Sequence, residues 1–253
     1  MKIAVIPDTQ TKPGVKTEYL GWIGKYLASK KPDVIVHLGD FADMASLSSY
    51  DKGLKSFEGR RYKKDVEHTK EAMEVLLAPI KRDNYFRKRY KKLEYHPRMI
   101  MLLGNHEARI NRVIEEDPRL DGTISTEDLG YREAGWEVYP FLQQVVVNGV
   151  AFAHYFCSGV MGRPVTSARM LLTKKHMSCI AGHQQGRDIA YAQRADGKDM
   201  TALITGSCYL HNETYLNPQT NTHWRGFYML HNVDDGAFDE MAISLGYLER
   251  KYK

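Results

Sequence analysis

Short apolar runs that end in polar residues recur along the first half of the chain. Residues 2–7 (KIAVIP) and 33–38 (DVIVHL) each predict a buried strand, and residues 15–30 between them place apolar side chains at helical spacing. A strand, a helix and a second strand form a βαβ unit, which implies parallel strands. Residues 98–103 (RMIMLL) predict a third strand of the same sheet.

A long helical pattern separates the second predicted strand from the third. Its apolar spacing predicts a helix over residues 62–77 that ends near Pro79, with a second, basic helix after it. We therefore expect a helical insertion at about 51–97, inside a single domain that covers residues 1–253.

Strand patterns dominate the second half of the chain. Residues 145–154 (VVVNGVAFAH) hold Asn148 and Gly149 between two apolar runs, which predicts a hairpin. Further strands are predicted at residues 177–183, 201–207 and 226–231. Helices and strands together predict an α/β (α+β) protein.

The composition excludes several classes of protein. Apolar residues make up 43% and charged residues 26%, which is typical of an ordinary globular chain. No apolar run approaches the roughly 18 residues of a membrane span, and the start lacks the features of a signal peptide. Three widely spaced cysteines argue against a disulfide framework and a zinc finger, and they suit a reducing compartment. We expect a cytoplasmic protein.

The positive charge is concentrated in the predicted insertion. The net charge is +5, but residues 51–98 contain 15 Lys/Arg and 8 Asp/Glu, a balance of +7 that leaves −2 for the rest. The densest stretch, residues 81–92 (KRDNYFRKRYKK), interleaves aromatic residues with seven basic ones. This composition favours contact with phosphates and bases. The alternative, common for charge runs, is a solvated helix face whose aromatic side chains turn inward.

Five predicted strand ends carry residue types that bind metal ions. Ligands of open α/β sheets bind outside the carboxyl ends of the strands, so we expect these residues to converge on one crevice. They lie in the motifs D-x-Q, GDxxD and GNHE, at a later histidine, and in GHQQ. The candidate residues are Asp8, Gln10, Asp40, Asp43, Asn105, His106, His154, His183 and Gln185.

The order and spacing of these motifs resemble the calcineurin-like metallophosphoesterase superfamily, whose pattern is D-x-H, GDxxD, GNH(D/E), H and GHxH. The resemblance spans residues 8–185, and the short D-x-Q start is similar to the metallophosphoesterases of tailed bacteriophages. It implies a two-sheet β-sandwich flanked by helices, with a dinuclear metal centre at one edge. If the chain is encoded by a phage, the expected location is the host cytoplasm.

The resemblance also implies roles for single residues. Asp40 would bridge two divalent ions, because one carboxylate can give an oxygen to each. His106 would protonate the leaving oxygen or stabilise the transition state as a cation, and Asp43 would hold its ring. The remaining candidates would be metal ligands, with Asn105, His154 and His183 completing one site and Asp8, Gln10 and Gln185 belonging to the other.

The two glutamines depart from the family pattern, which has histidines at these positions. A carbonyl oxygen suits hard ions, whereas imidazole suits zinc, iron and copper. We therefore expect the Asp8 site to be the weaker one and Mn²⁺ to be favoured, with Mg²⁺, Fe²⁺ or Zn²⁺ as alternatives. A rival hypothesis leaves the Asp8 site empty, so that the enzyme works with one ion or none.

The sequence also bears on the substrate. Protein phosphatases of the superfamily extend the second motif as GDxxDRG, whereas Met44 and Ala45 follow Asp43 here, so the phosphate-clamping arginine is absent. The basic insertion favours a nucleic-acid or nucleotide phosphodiester, hydrolysed by a metal-activated water. The candidate substrate-binding residues are Arg109, Arg163 and Arg187, for which ordinary surface positions are the alternative.

Two other functions stay open at this point. One is a phosphomonoesterase of broad range. The other is a non-catalytic scaffold of the same fold that binds nucleic acid or a protein partner. The glutamines at positions 10 and 185 allow the scaffold, but a scaffold has no chemical reason to keep the other motif residues together. The loop at 209–225 is expected to form either a wall of the substrate site or a capping segment.

Overall fold

A computed structural model describes residues 1–213, 216 and 220–253, so part of the 209–225 loop lies outside the described residues. In chain order the strands are β1 (Ile3–Ile6), β2 (Val34–His37), β3 (Arg98–Leu102), β4 (Glu137–Tyr139), β5 (Val145–Val147), β6 (Val150–Ala153), β7 (Cys179–Ala181), β8 (Arg187–Gln193), β9 (Asp199–Thr205), β10 (Gly226–Asp234) and β11 (Ala237–Ser244). The helices are α1 (Glu18–Lys30), α2 (Tyr62–Arg89), α3 (Ala108–Glu116), α4 (Ala168–Lys175) and α5 (Leu245–Tyr252).

The strands form two mixed sheets. The first has six strands in the order β11-β10-β1-β2-β3-β4, of which β1 to β4 are mutually parallel. The second has five strands in the order β5-β6-β7-β9-β8, with β6, β7 and β9 parallel. The predicted hairpin joins β5 to β6 through Asn148 and Gly149, which both have positive φ as a tight turn requires.

The two sheets pack face to face over a shared apolar core. Alternate residues of the first sheet, such as Val5, Val36 and Ile100, meet Phe152 and Leu203 of the second. Helices α1, α2 and α5 cover the outer face of the first sheet, and α4 covers that of the second. The predicted sandwich flanked by helices is confirmed. No helix among the described residues has both the length and the apolarity that crossing a bilayer requires.

The helical segment between β2 and β3 is one helix of 28 residues, so the prediction of a break near Pro79 is wrong. Proline removes a backbone donor from a helix and strains the preceding turn. Here α1 packs against that turn closely, since a Cβ added at Gly24 would overlap Leu76 O and lie 2.9 Å from Pro79 Cγ. Tertiary packing therefore compensates for the local penalty of the proline.

Candidate functional site

The loops that follow β1 and β2 are joined by backbone hydrogen bonds. The backbone N–H groups of Thr9 and Gln10 both donate to Asp40 O, at 3.1 and 2.8 Å, and Asp43 N donates to Thr11 O at 2.9 Å. Because β1 and β2 are parallel, their carboxyl ends lie at the same edge of the sheet. The first two motifs therefore form a single structural unit.

Left-handed backbone conformations cluster at this edge. Gln10, Asp40 and His183 have φ of 42°, 51° and 66°, which non-glycine residues rarely adopt. Such strain costs of order 1 kcal/mol or more per residue and persists where the surrounding structure enforces it. At the third motif the chain must approach closely, because a Cβ added at Gly104 would overlap the carboxylate of Asp40. These backbone constraints fix the directions in which the motif side chains leave the backbone.

Glu107 joins the loops of the second and third motifs through hydrogen bonds. It is fully buried, and its carboxylate accepts hydrogen bonds from the backbone N–H of Gly104, Asp40 and Ala42 at 2.8, 2.9 and 2.9 Å, and from Tyr131 OH at 3.1 Å. Burial and the nearby charge of Asp40 raise the pKa of Glu107 to about 7 although the backbone donors favour the charged form. The GNHE motif thus supplies the carboxylate that holds the loops together, as well as side chains of the site itself.

Glu107→Gln is expected to lower the free energy of unfolding by about 2–3 kcal/mol, because the new amide N–H must face a backbone N–H in a buried position. Chemical denaturation in the presence of EDTA measures this loss without any contribution from metal binding. The matched control is Glu115→Gln on the exposed face of α3, for which we expect a change within about 0.5 kcal/mol. Equal stability of the two variants would contradict the role of Glu107 in holding these loops together.

Side-chain oxygen and nitrogen atoms that follow strands of both sheets lie close together at this edge. Asp40, His154 and His183 each present one atom suited to a metal, and the three atoms lie within 4.8 Å of one another. Asn105 completes the cluster, because its Oδ1 lies 2.8 Å from His154 Nε2 and 2.8 Å from His183 Nδ1. Four of the predicted ligands are therefore close enough to share one ion.

The tautomer of His154 leaves a lone pair facing the cluster. Its Nδ1 lies 2.9 Å from Leu38 O, so Nδ1 carries the hydrogen and Nε2 does not. Burial lowers the pKa of His154, and burial together with the charge of neighbouring groups lowers that of His183 to about 4, so both rings are neutral. Asn105 Oδ1 and His154 Nε2 are then two acceptors in contact, an arrangement that a cation between them stabilises.

Asp8 adds a second buried carboxylate. Its Oδ1 accepts from His183 N at 3.0 Å, whereas its Oδ2 is buried and has no hydrogen-bond partner among the described residues. Burial and the negative charge of Asp40 raise the pKa of Asp8 well above its usual range. Two buried carboxylates, one with an unpartnered oxygen, fit a site that holds divalent cations.

His106 and Asp43 form a buried pair beside the cluster. His106 Nδ1 lies 2.7 Å from Asp43 Oδ1, and His106 Nε2 lies 3.7 Å from Asp40 Oδ2. Burial works against the imidazolium, but the charge of Asp40 and the hydrogen bond to Asp43 outweigh it and raise the pKa of His106 to about 9. Asp43 therefore engages Nδ1, and Nε2 is the ring nitrogen on the side of Asp40.

Two basic side chains support the His106–Asp43 pair. Arg109 is buried and donates to Asp43 O at 2.7 Å, with its Nη2 at 3.3 Å from His106 Nε2. Lys12 lies 2.8 Å from the other oxygen of Asp43 and 2.7 Å from Glu213 Oε2. Burial raises the pKa of Asp43, but the hydrogen bond from His106 and the three cations lower it well below its usual range. Asp43 is therefore charged and held from three sides.

The other predicted site residues have these surroundings. Gln10 is buried next to Asp8, and Gln185 accepts a hydrogen bond from Tyr209 OH at 2.6 Å. Arg163 is exposed in the loop that precedes α4, where its backbone O accepts from Ser158 N. Arg187 is exposed at the start of β8 and packs over the ring of Trp224 at 4.8 Å. No described contact joins Arg163 or Arg187 to the ligand cluster.

Sequence reasoning missed Glu107, Lys12 and Glu213. Glu107 stands inside the GNHE motif, so its position was a usable signal for a structural role. Lys12 and Glu213 are 201 positions apart, and only the fold brings them together. Nothing in their local sequence marks them.

Comparison with known proteins gives two sequence matches. The profile of a family described as calcineurin-like phosphoesterase matches residues 1–196. The gene 54 protein of Mycobacterium phage L5 is 38% identical over 69 residues, which is 27% of this chain. The matched segment also spans only 27% of the phage protein.

Solved structures are similar at low sequence identity. The TT1561 structure of Thermus thermophilus aligns over 96% of this chain and 98% of its own, at 7% identity and a TM-score of 0.34. The purple acid phosphatase PPD1 from yellow lupin (Lupinus luteus) seeds aligns over 96% of this chain and 53% of its own, at 10% identity and a TM-score of 0.31.

Proposed function

This chain belongs to the calcineurin-like phosphoesterase family, and from that premise we propose that it hydrolyses phosphodiesters of nucleotides or nucleic acids. Membership of the family makes it a metal-dependent hydrolase of phosphoesters. The observation that carries the proposal is the convergence of Asp40, His154 and His183 around Asn105, directly beside the protonated His106.

Two divalent cations, with Mn²⁺ favoured, would be held by the side chains at the strand ends. Asp40, Asn105, His154 and His183 would hold the first, and Asp8, Gln10 and Gln185, with Asp40 shared, would hold the second. When bound, the ions supply activation of the attacking water and neutralisation of charge on the phosphoryl oxygens.

The chain's own residues would then supply the proton that the leaving group needs. His106 carries its transferable proton at Nε2, because Nδ1 is engaged by Asp43. It would give that proton to the departing oxygen as a general acid. Asp43 acts as a positioning residue that fixes the ring and keeps it protonated, and Arg109 and Lys12 hold Asp43 in turn.

The charges around this pair favour a diester over a monoester. Besides His106, the basic side chains in contact with Asp43 are Lys12 and Arg109, and both are bonded to carboxylates. The position after Asp43 is Met44, which is fully buried in the core and supplies no cation. A diester carries one negative charge whereas a monoester carries two near neutral pH, so the diester needs less positive charge from the protein.

With Mn²⁺, we expect faster turnover of bis-(p-nitrophenyl) phosphate than of p-nitrophenyl phosphate, because the pocket offers few uncommitted cations to a dianion. The measurement is the ratio of kcat/KM on the two esters, with Asp40→Ala as the blank. Nuclease assays on single-stranded DNA, duplex DNA and RNA then identify the substrate class. A faster monoester reaction would identify a phosphomonoesterase, and no Mn²⁺-dependent turnover of any of these substrates would favour the scaffold.

Calorimetric titration with Mn²⁺ is expected to give two classes of site. The weaker class is assigned to the Asp8 site, because neutral amide oxygens replace imidazoles there. Asp8→Asn should remove the weaker class and keep the tighter one, since its amide oxygen still accepts from His183 N. A wild-type titration with a single class at millimolar Mn²⁺ would refute the two-metal proposal.

A further inference from the structure

The second half of α2 exposes aromatic rings to solvent. Tyr85, Phe86 and Tyr90 are 63%, 42% and 66% exposed, so the alternative in which these rings turn inward is wrong. Single exposed rings are ordinary on a protein surface, but three within six residues form a patch. Such a patch indicates a contact with another molecule.

Basic residues stand between these rings at helical spacing. Lys81, Tyr85 and Arg89 follow one another four residues apart, and so form a row along the helix surface. Arg82, Phe86 and Tyr90 form the adjacent row, in which the Arg82 guanidinium lies 5.9 Å from the centre of the Phe86 ring. The first row alternates cationic and aromatic groups, and the second places two aromatic rings after a cation. We call this surface, from Lys81 to Lys92, the α2 patch.

Most of the positive charge of the α2 patch is uncompensated. Lys81 pairs with Glu74 at 2.8 Å, and Arg87 pairs with Asp83 at 2.6 Å. The other five basic side chains of the patch have no carboxylate within 4.0 Å in the described part of the chain: Arg82, Lys88, Arg89, Lys91 and Lys92. A surface with this charge attracts polyanions.

Shallow grooves flank the helix on both sides of the patch. One, of about 390 Å³, is lined by Lys25 and Ala28 of α1 and by Arg82 and Phe86. The other, of about 530 Å³, includes Tyr85, Lys88 and His96. Each groove therefore combines an aromatic wall with cationic groups, which is the combination that accommodates a base next to its phosphate.

The α2 patch lies far from the metal-binding edge. The start of α2 is close to that edge, because Asp65 accepts from Ser46 N at 2.8 Å. The end of α2 lies at the opposite edge, where Asp83 pairs with Lys31 just before β2. The 20 residues from Asp65 to Tyr85 span about 30 Å of helix. The patch therefore cannot contact the ester that is being hydrolysed.

We propose that the α2 patch is a separate binding surface for single-stranded nucleic acid, with phosphates on its lysines and arginines and bases stacked on its aromatic rings. The mixture of cationic and aromatic groups in both rows favours nucleic acid over an acidic peptide, since each nucleotide offers both an anion and a flat ring. They favour a single strand, because the bases of an intact duplex are stacked inside it and cannot reach rings on a helix surface. The proposal does not depend on what the metal-binding edge hydrolyses.

Fluorescence anisotropy of labelled oligothymidylate with the 253-residue chain in EDTA tests this surface without hydrolysis. Arg82→Gln/Lys88→Gln/Arg89→Gln is expected to weaken binding by about tenfold or more. The slope of the logarithm of the binding constant against the logarithm of the salt concentration (the salt slope) should fall in magnitude by about 2. Tyr85→Gln/Phe86→Gln is expected to weaken binding by about fivefold to tenfold with an unchanged salt slope. Both variants should keep the wild-type melting temperature, since these side chains are exposed.

The matched control, Arg169→Gln/Lys174→Gln/Arg194→Gln, removes the same charge from the other side of the sandwich and should bind within about twofold of wild type. Equal weakening by the control would overturn the proposal, because it would show a general charge effect. Duplex DNA that binds as tightly as the single strand would also overturn it, as would polyglutamate that competes as well as unlabelled oligothymidylate.

Discussion

Asp40→Asn is expected to lower kcat/KM on bis-(p-nitrophenyl) phosphate by about a thousandfold or more. Asp40 is the charged member of the cluster with His154 and His183, and its carboxylate also lies near Asp8 and His106. Replacing it by a neutral amide removes the charge that both proposed metal sites share. Steady-state kinetics in Mn²⁺ measures the loss.

The same variant should still fold without metal. Its amide oxygen can still accept from His106 N, the bond that Asp40 Oδ1 makes at 2.9 Å. The repulsion with Asp8 is relieved, and the attraction to His106 is lost. We therefore expect a melting temperature in EDTA that stays near that of wild type, and loss of the increase that Mn²⁺ gives wild type. Asp121→Asn, at an exposed position, is the control for both measurements. An Asp40→Asn enzyme that kept a tenth of the activity would contradict this assignment.

His106→Ala is expected to lower kcat by about 10²- to 10⁴-fold on a diester with a poor leaving group, such as an alkyl alcohol. Loss of the general acid matters most when the departing oxygen is strongly basic. A nitrophenolate leaves without protonation, so the loss on bis-(p-nitrophenyl) phosphate should be much smaller. The ratio of the two losses is the decisive measurement, because a merely structural defect would lower both rates equally.

Asp43→Asn is expected to share this dependence on the leaving group at lower magnitude. It weakens the hydrogen bond that holds the His106 ring and lowers the pKa of that histidine, so the alkaline limb of activity, where His106 loses its proton, should move to lower pH. His176→Asn, at an exposed histidine, should leave both rates unchanged. Near-wild-type turnover of the alkyl diester by His106→Ala would show that His106 is not the acid.

The central strands were predictable because they are buried on both faces. Strands β1, β2 and β3 are continuous apolar runs that end in polar residues, and their order along the chain implies the parallel sheet. The β5–β6 hairpin was predictable from Asn148 and Gly149, whose residue types tolerate positive φ.

The peripheral elements were missed because their patterns are weak. Strand β8 (RDIAYAQ) lies at an edge of its sheet and exposes most of its residues, so it shows no apolar run. Strand β11 occupies the edge of the other sheet and alternates only loosely. Helix α5 is short and follows directly on β11. Local periodicity is a poor signal where most residues of a strand face water.

By itself the sequence determined which chemical groups stand at the ends of which strands, because burial imposes an apolar pattern that stops where the chain turns polar. Only the tertiary structure decided how those groups meet. It bonds Glu107 to three backbone N–H groups, brings Glu213 to Lys12, carries α2 through Pro79 and turns its aromatic rings to solvent. These outcomes depend on contacts between residues far apart in the chain, and such contacts leave no periodic trace in the sequence around either partner.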